Sequence, residues 1–251
     1  WQENFGGTSK TYNTGLKQAT GNFIAFLEDD DEWLPQKLEK QLEIFKDSFS
    51  PNNRIGLISC GAYLINENNV KKGIFSSKRS ILSVDECELF LEKAWMFLLS
   101  LSTILIKAEV IKKAGLFDEK LKTVADMDFY FRILKNFDFY LLKEPLINYN
   151  VLQTSLSRKQ FWLKSMPEYK YLLDKYKEDF QNYPNAYSKF LRNIGTFYLL
   201  EGNSNMARNY FKNAILKNPR NIRLYPQYIL SFFPFLYRKI LLLKREKSKT
   251  A

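Results

Sequence analysis

The sequence has no histidine in 251 residues. That absence removes His-dependent catalytic triads, histidine–zinc sites and imidazole acid–base work, so any catalysis falls to carboxylates, lysine or tyrosine. Cysteine is nearly as scarce. Cys60 and Cys87 are the whole supply, too few for a disulfide framework and without metal-ligand spacing, which points to buried free thiols in a reducing cytoplasm. A recognisable signal peptide is missing, and so is any apolar run long enough to span a bilayer. The chain begins at Trp1 without a methionine, and reads as a fragment or a processed product.

What is present is an ordinary globular composition, 45% hydrophobic, enough for one medium domain and a small one. The net charge of +11 raises the question of nucleic acid. The excess is concentrated late, where Arg238, Lys239, Lys244, Arg245, Lys247 and Lys249 stand against Glu246 alone. No nucleic-acid recognition motif accompanies it, so no nucleic-acid partner is expected. Ile229 to Leu243 is very apolar but is interrupted by Pro234, Arg238 and Lys239. With the basic tail 238–251 it suits peripheral contact at the inner face of an anionic membrane. It equally suits a cap on a helical core, with the tail solvated.

From residue 6 to about 150 helical and extended patterns alternate. The polar stretch Gly7 to Ala19 leads to Gly21, a helix stop, and Phe23 to Leu27 has the length of a buried strand. Pro35 opens a helix with Leu38, Leu42 and Phe45 at helical spacing. Ile55 to Cys60 and Thr103 to Ile106 read as strands. Ser83 and Glu86 form a capping box before a helix carrying Leu89 and Phe90. Asp126 to Asn136 reads as a helix and Phe137 to Leu142 as extended. Such alternation argues for an α/β sheet with helices on its faces. After Tyr149 the pattern turns helical, and Gly195, Tyr198, Gly202, Ala207, Phe211, Ala214 and Pro219 match tetratricopeptide spacing over about 188–221. One such repeat cannot bury its apolar face alone, so it must pack on neighbouring helices or on the α/β domain.

The acidic run Glu28-Asp29-Asp30-Asp31-Glu32 ends the first strand. Carboxylates at the C-terminal end of a strand stand where open α/β sheets bind ligands, and three or more can hold Mg²⁺ or Mn²⁺ through oxygen. The competing reading is that they favour the start of the helix opened by Pro35, where the dipole welcomes negative charge. A second acidic segment follows Gly115-Leu116-Phe117-Asp118-Glu119. There Asp126 is either an N-cap or a chemical group, and Asp128 is placed to pair with Arg132.

Asn13 to Leu38, with its asparagine-bearing helix, strand, Glu28-x-Asp30 and Trp33-Leu34-Pro35, resembles the family 2 glycosyltransferases, and so does Gly115-Leu116-Phe117-Asp118-Glu119 followed by Ala125-Asp126. The resemblance covers roughly residues 4 to 157. It implies a GT-A-type mixed sheet in 1–157, without the family's first βα units, followed by an all-α region, 158–251, with one tetratricopeptide-like repeat. It implies inverting transfer of a single sugar from a nucleotide-sugar donor, UDP-linked, to a glycan or lipid-linked acceptor in surface polysaccharide or glycolipid assembly. Asp30 matches the metal ligand of the family's Asp-x-Asp motif, with Glu28 as second ligand and, with Asp29, a contact to the nucleotide. Asp126 matches the general base.

Four positions depart from the family pattern. Glu28 stands for aspartate, Ala125 for glutamate, and Asn150 and Leu152 for the Arg and His of a Tyr-Arg-x-His stretch. Arg158 or Lys159 is placed to replace the latter as a diphosphate clamp. The Gln-x-x-Arg-Trp signature of processive synthases is absent at Gln160-Phe161-Trp162. The family's nucleotide-recognising units have no counterpart here, so activity is expected of a longer parent protein. The departures leave a second reading open: a non-catalytic glycosyltransferase-like scaffold that offers its helices to a protein partner.

Overall fold

The computed structural model describes residues 8–46, 54–93, 100–151 and 158–236, the side chains of 158–164 excepted. The chain divides into two compact units, Trp1–Phe161 and Trp162–Ala251. The first is built on a mixed sheet whose described strands are β1 (Phe23–Ala25), β2 (Glu32–Trp33), β3 (Ile55–Asn66), β4 (Lys71–Phe75), β5 (Ile81–Leu82), β6 (Ile104–Lys107) and β7 (Asp138–Val151). They lie in the order β1-β6-β3-β7-β2, with β4 paired to β3 and β5 to β7. Among them β3 and β7 are parallel and the other pairs antiparallel. Residue choice explains the central pair. Ile55 to Cys60 is buried throughout, and β7 buries Phe139, Leu141, Leu146 and Ile147, as a strand covered on both faces requires.

Five described helices accompany this sheet: α1 (Thr8–Gln18), α2 (Lys37–Lys46), α3 (Cys87–Lys93), α4 (Ala108–Ala114) and α5 (Ala125–Leu134). α2 packs on β3, α4 on β6, and α3 and α4 on α5. The sheet with flanking helices agrees with the α/β expectation. The capping box also holds in part: the Glu86 carboxylate accepts the Ser83 N–H at 3.0 Å, on a short 3-10 turn before α3. Cys60 and Cys87 are buried thiols not joined in a disulfide, and burial pushes the Cys60 thiol up to about 11, the inert form of cysteine.

Several local expectations are corrected. Among the described strands β1 lies at the sheet edge, paired with β6, and Phe23 and the following Leu27 are exposed. It runs antiparallel to β6, so the acidic run is not at the carboxyl end of a parallel strand. α1 ends at Gln18, ahead of Gly21, which lacks the positive φ of a glycine cap. The buried face of α2 is Lys37, Gln41 and Ile44, whereas Leu38 is exposed and Leu42 and Phe45 are half-buried. Apolar periodicity misplaced that face because the two polar residues find hydrogen-bond partners inside. Thr103 belongs to a 3-10 turn, Leu101–Thr103, rather than to the strand. β3 and β7 outrun their apolar segments because each pairs with the other along nearly its whole length.

The second unit's described residues are helical: α6 (Arg158–Lys175, beginning in the first unit), α7 (Lys177–Asn182), α8 (Pro184–Leu200), α9 (Ser204–Lys217) and α10 (Leu224–Leu230). α8 and α9 form a hairpin across Glu201-Gly202-Asn203, where Gly202 takes φ 87° and the Asn203 side chain caps α9 by accepting the Met206 N–H. Gly195 allows the close approach, since a Cβ there would sit 2.9 Å from the Phe211 ring. Ala207, Phe211 and Ala214 are fully buried. Neighbours complete the core: Phe180 of α7 lies against Phe190 and Tyr187, and Leu224 of α10 packs with Leu191 and Ala214.

Candidate active site

The register of the sheet delivers the acidic run to a defined place. β1 pairs Phe23 with Lys107 and Ala25 with Leu105, and carried forward one for one it sets Glu28 opposite Ser102. The Glu28 N–H indeed donates to the Ser102 hydroxyl at 3.0 Å. From the other side, β2 pairs Glu32 with Asn148, which sets Asp30 opposite Asn150. Asn150 donates its side-chain amide to the Asp30 carbonyl at 2.6 Å and its N–H to the Asp31 carboxylate at 3.3 Å. The run is therefore a turn strung between β6 and β7. It lies outside α2, so the helix-start reading of these carboxylates falls.

Asp126 is brought in by α1 and α5. Buried Asn13 of α1 accepts the Phe117 N–H at 2.8 Å and donates to the Phe117 carbonyl at 3.0 Å, while Ser9 donates to the Leu121 carbonyl at 2.6 Å. These bonds fix the loop leading to α5. Gly115 (φ 79°) closes α4. Arg132 of α5 donates to Asp128 at 3.0 Å, to the Leu116 carbonyl at 2.8 Å, and to the Ala114 carbonyl. The expected Asp128–Arg132 pair is thus present and braces α5. Asp126 is in the first turn of α5, whose N-cap is Val124, so it is not itself the N-cap. Its Oδ1 accepts the Met127 N–H at 2.8 Å.

Glu28 and Asp126 line one cavity of about 290 Å³ together with Tyr12, Ser100, Leu101, Lys122, Thr123, Ala125 and Tyr149. The Tyr12 hydroxyl donates to Glu28 at 2.9 Å, and its ring packs on Phe26 and Phe117. Burial raises the Glu28 carboxyl above the usual range, and the neighbouring Asp31, Asp30 and Asp126 raise it further, against the Tyr12 hydrogen bond. Burial also raises Asp31, against hydrogen bonds from Ser102, Asn150 and Ser100 that favour the anion. Tyr149 is pushed up to about 12, first by burial and then by Asp31 and Glu28. A crowd of carboxylates raising one another is a site short of positive charge.

Of the residues singled out from sequence, Glu28 and Asp126 share the cavity, while Asp30 stands exposed on the turn with its charge felt at both Glu28 and Asp31. Asp29 is exposed and acts electrostatically on Tyr12. Among the described residues no group of three or more His, Cys, Asp or Glu side chains converges on a metal-sized point. The Asp31 carboxylate is engaged with Ser100 and Asn150, and Glu32 accepts from Asn148. Leu152 and the side chains of Arg158 and Lys159 lie outside the described residues. Tyr12, Ser100 and Ser102 were missed; the strand register could have found Ser102, and no sequence signal marks the other two.

The chain matches a model for the glycosyltransferase like family 2 over residues 2–205. It is 27% identical to the uncharacterized glycosyltransferase RT0329 of Rickettsia typhi, covering 80% of this chain and 63% of that protein. It is 28% identical to the amylovoran biosynthesis glycosyltransferase AmsB of Erwinia amylovora, over 61% of this chain and 53% of that one. The chain thus spans less than two thirds of the length of these relatives. The S. aureus protein TarS aligns over 92% of this chain and 43% of its own, at 15% identity and a TM-score of 0.48. The match takes in both acidic segments and the sheet that holds them, and the chain belongs to the glycosyltransferase like family 2.

Proposed function

We propose that the protein transfers a single sugar from a nucleotide-sugar donor, UDP-linked, to an acceptor hydroxyl with inversion, in surface polysaccharide or glycolipid assembly. The observation that carries this is the meeting of Glu28 and Asp126, from segments far apart in sequence, on the wall of one cavity. Asp126 accepts the acceptor's proton as its oxygen bonds to the anomeric carbon. The bond from that carbon to the donor diphosphate breaks in the same displacement, and the nucleoside diphosphate leaves with the electron pair. The name of the Erwinia relative supports the polysaccharide setting.

A divalent cation, Mn²⁺ or Mg²⁺, fits the turn as a partner shared with substrate. Exposed Asp30 and half-buried Glu28 offer one or two carboxylates, and Mg²⁺ commonly binds through that number together with phosphate oxygens and water. Such a cation neutralises the leaving diphosphate. The crowding that raises Glu28 is what a cation there relieves. The test is the anomeric configuration of the product, read by NMR, with the full-length protein. An inverted linkage is expected; a retained one overturns the reading.

We read α8 and α9 as a tetratricopeptide-like pair, and the C-terminal segment as a peripheral membrane contact. In favour of the second, Ile229, Phe232, Phe233, Phe235 and Leu236 are exposed, whereas Tyr228 and Leu230 pack on the helical core. Among the described residues of the stretch from Ile229, Leu230 favours the cap reading. The basic run 238–249 follows directly in sequence, though it lies outside the described residues. Among the described residues no helix is long and apolar enough to cross a membrane.

A further inference from the structure

Lysine is almost never fully buried unless paired. Lys37 is 0% exposed, and among the described residues it has no ion pair. Its ammonium donates to Gln41 Oε1 at 2.8 Å, reaches the Ile104 carbonyl at 3.5 Å, and lies 4.5 Å from the centroid of the Trp33 ring. Burying an ammonium against one amide oxygen and a ring is costly, so its position calls for a reason.

Its contacts lead to one place. Gln41 donates to the Thr103 carbonyl at 2.8 Å and to the Ile58 carbonyl at 3.1 Å. Trp33 donates its indole N–H to the Ser102 carbonyl at 2.9 Å. The Thr103 hydroxyl closes the turn onto the Ser100 carbonyl at 2.7 Å. On the other side of this buried turn, Ser102 receives the Glu28 N–H and Ser100 donates to Asp31 at 3.3 Å.

We propose that Lys37 is a positioning residue for sugar transfer, fixing the Ser100–Thr103 turn through Gln41 and Trp33, and with it the Glu28–Asp31 segment that meets the donor. This rests on the function proposed above. A lysine that merely filled space would be replaced by methionine without effect on the acidic turn.

The test compares Lys37→Met and Trp33→Phe in the full-length protein. The second keeps the ring and removes the N–H that holds Ser102. Expected in both is a rise in the Mn²⁺ concentration for half-maximal turnover and a fall in kcat/KM of about tenfold, the upper scale of one lost hydrogen bond. The double variant should be little worse than either single one, since both act on one turn. Hydrogen exchange at the Glu28 amide should quicken in both, a readout that needs no activity. Wild-type Glu28 protection and Mn²⁺ dependence in a folded Lys37→Met protein overturn the proposal; if that variant does not fold, Trp33→Phe decides by the same readouts. A wild-type protein without turnover counts against the function, and Glu28 exchange still decides the role of Lys37.

Discussion

Asn13 serves both backbone polar groups of one residue, the N–H and carbonyl of Phe117, from a buried site. Asn13→Ala orphans both and should cost about 2–4 kcal/mol, measurable as a lower midpoint in urea at unchanged m-value. Lys37 gives a pH prediction. Burial lowers it from 10.5 to about 8. Below pH 8 folded and unfolded chains both hold the proton, and the cost of burying the ammonium is carried in full. Between about 8 and 10.5 only the unfolded chain holds it, so the contribution of Lys37 to stability should rise with pH through that window by about 3 kcal/mol, offset above about pH 9 by the raised Cys60 thiol, which acts in the opposite direction. Lys37→Met should abolish the rise, checked by denaturation at both ends of the window. Glu28 and Asp126 were legible in the sequence because each sits in an ordered motif with neighbours of the right type. Tyr12, Ser100 and Ser102 were not, because a hydroxyl becomes part of a site only when tertiary packing brings it to a carboxylate: strand register for Ser102, the packing of α1 for Tyr12.

Between α4 and α5, Gly115 takes a left-handed backbone that suits glycine, with the Arg132 guanidinium 3.5 Å from where a Cβ would sit. Gly115→Ala should destabilise the unit by about 1–2 kcal/mol through backbone strain alone. A larger loss of turnover than of stability would show that the strain reaches Asp126 through α5. At this scale the sequence is most legible where burial is uniform, as in Ile55 to Cys60. It misleads where a polar pair is buried, as at Lys37 and Gln41 on α2, because periodicity ranks faces by apolarity and cannot see partners inside. β1 misled for another reason: its apolar run is short, and its edge position follows from topology.

The molecule as a whole comprises two compact units. The first holds every described residue of the cavity, and the second ends on exposed phenylalanines followed in sequence by a basic run. If that end meets a membrane, the full-length protein should sediment with vesicles containing anionic lipid and be released by high salt. Phe232→Ser with Phe233→Ser should weaken binding by about tenfold or more at unchanged turnover of soluble donor. Equal binding to neutral vesicles would leave the basic run without a role. The measurement that goes to the centre is release of nucleoside diphosphate from a panel of sugar nucleotides with Mn²⁺, by the full-length protein beside its Asp30→Asn and Asp126→Asn variants. Expected is turnover with one donor that disappears with chelator and falls at least about a hundredfold in each variant. Turnover that survives Asp126→Asn would contradict sugar transfer at this site, and a folded protein that neither turns over nor binds any donor would favour the scaffold.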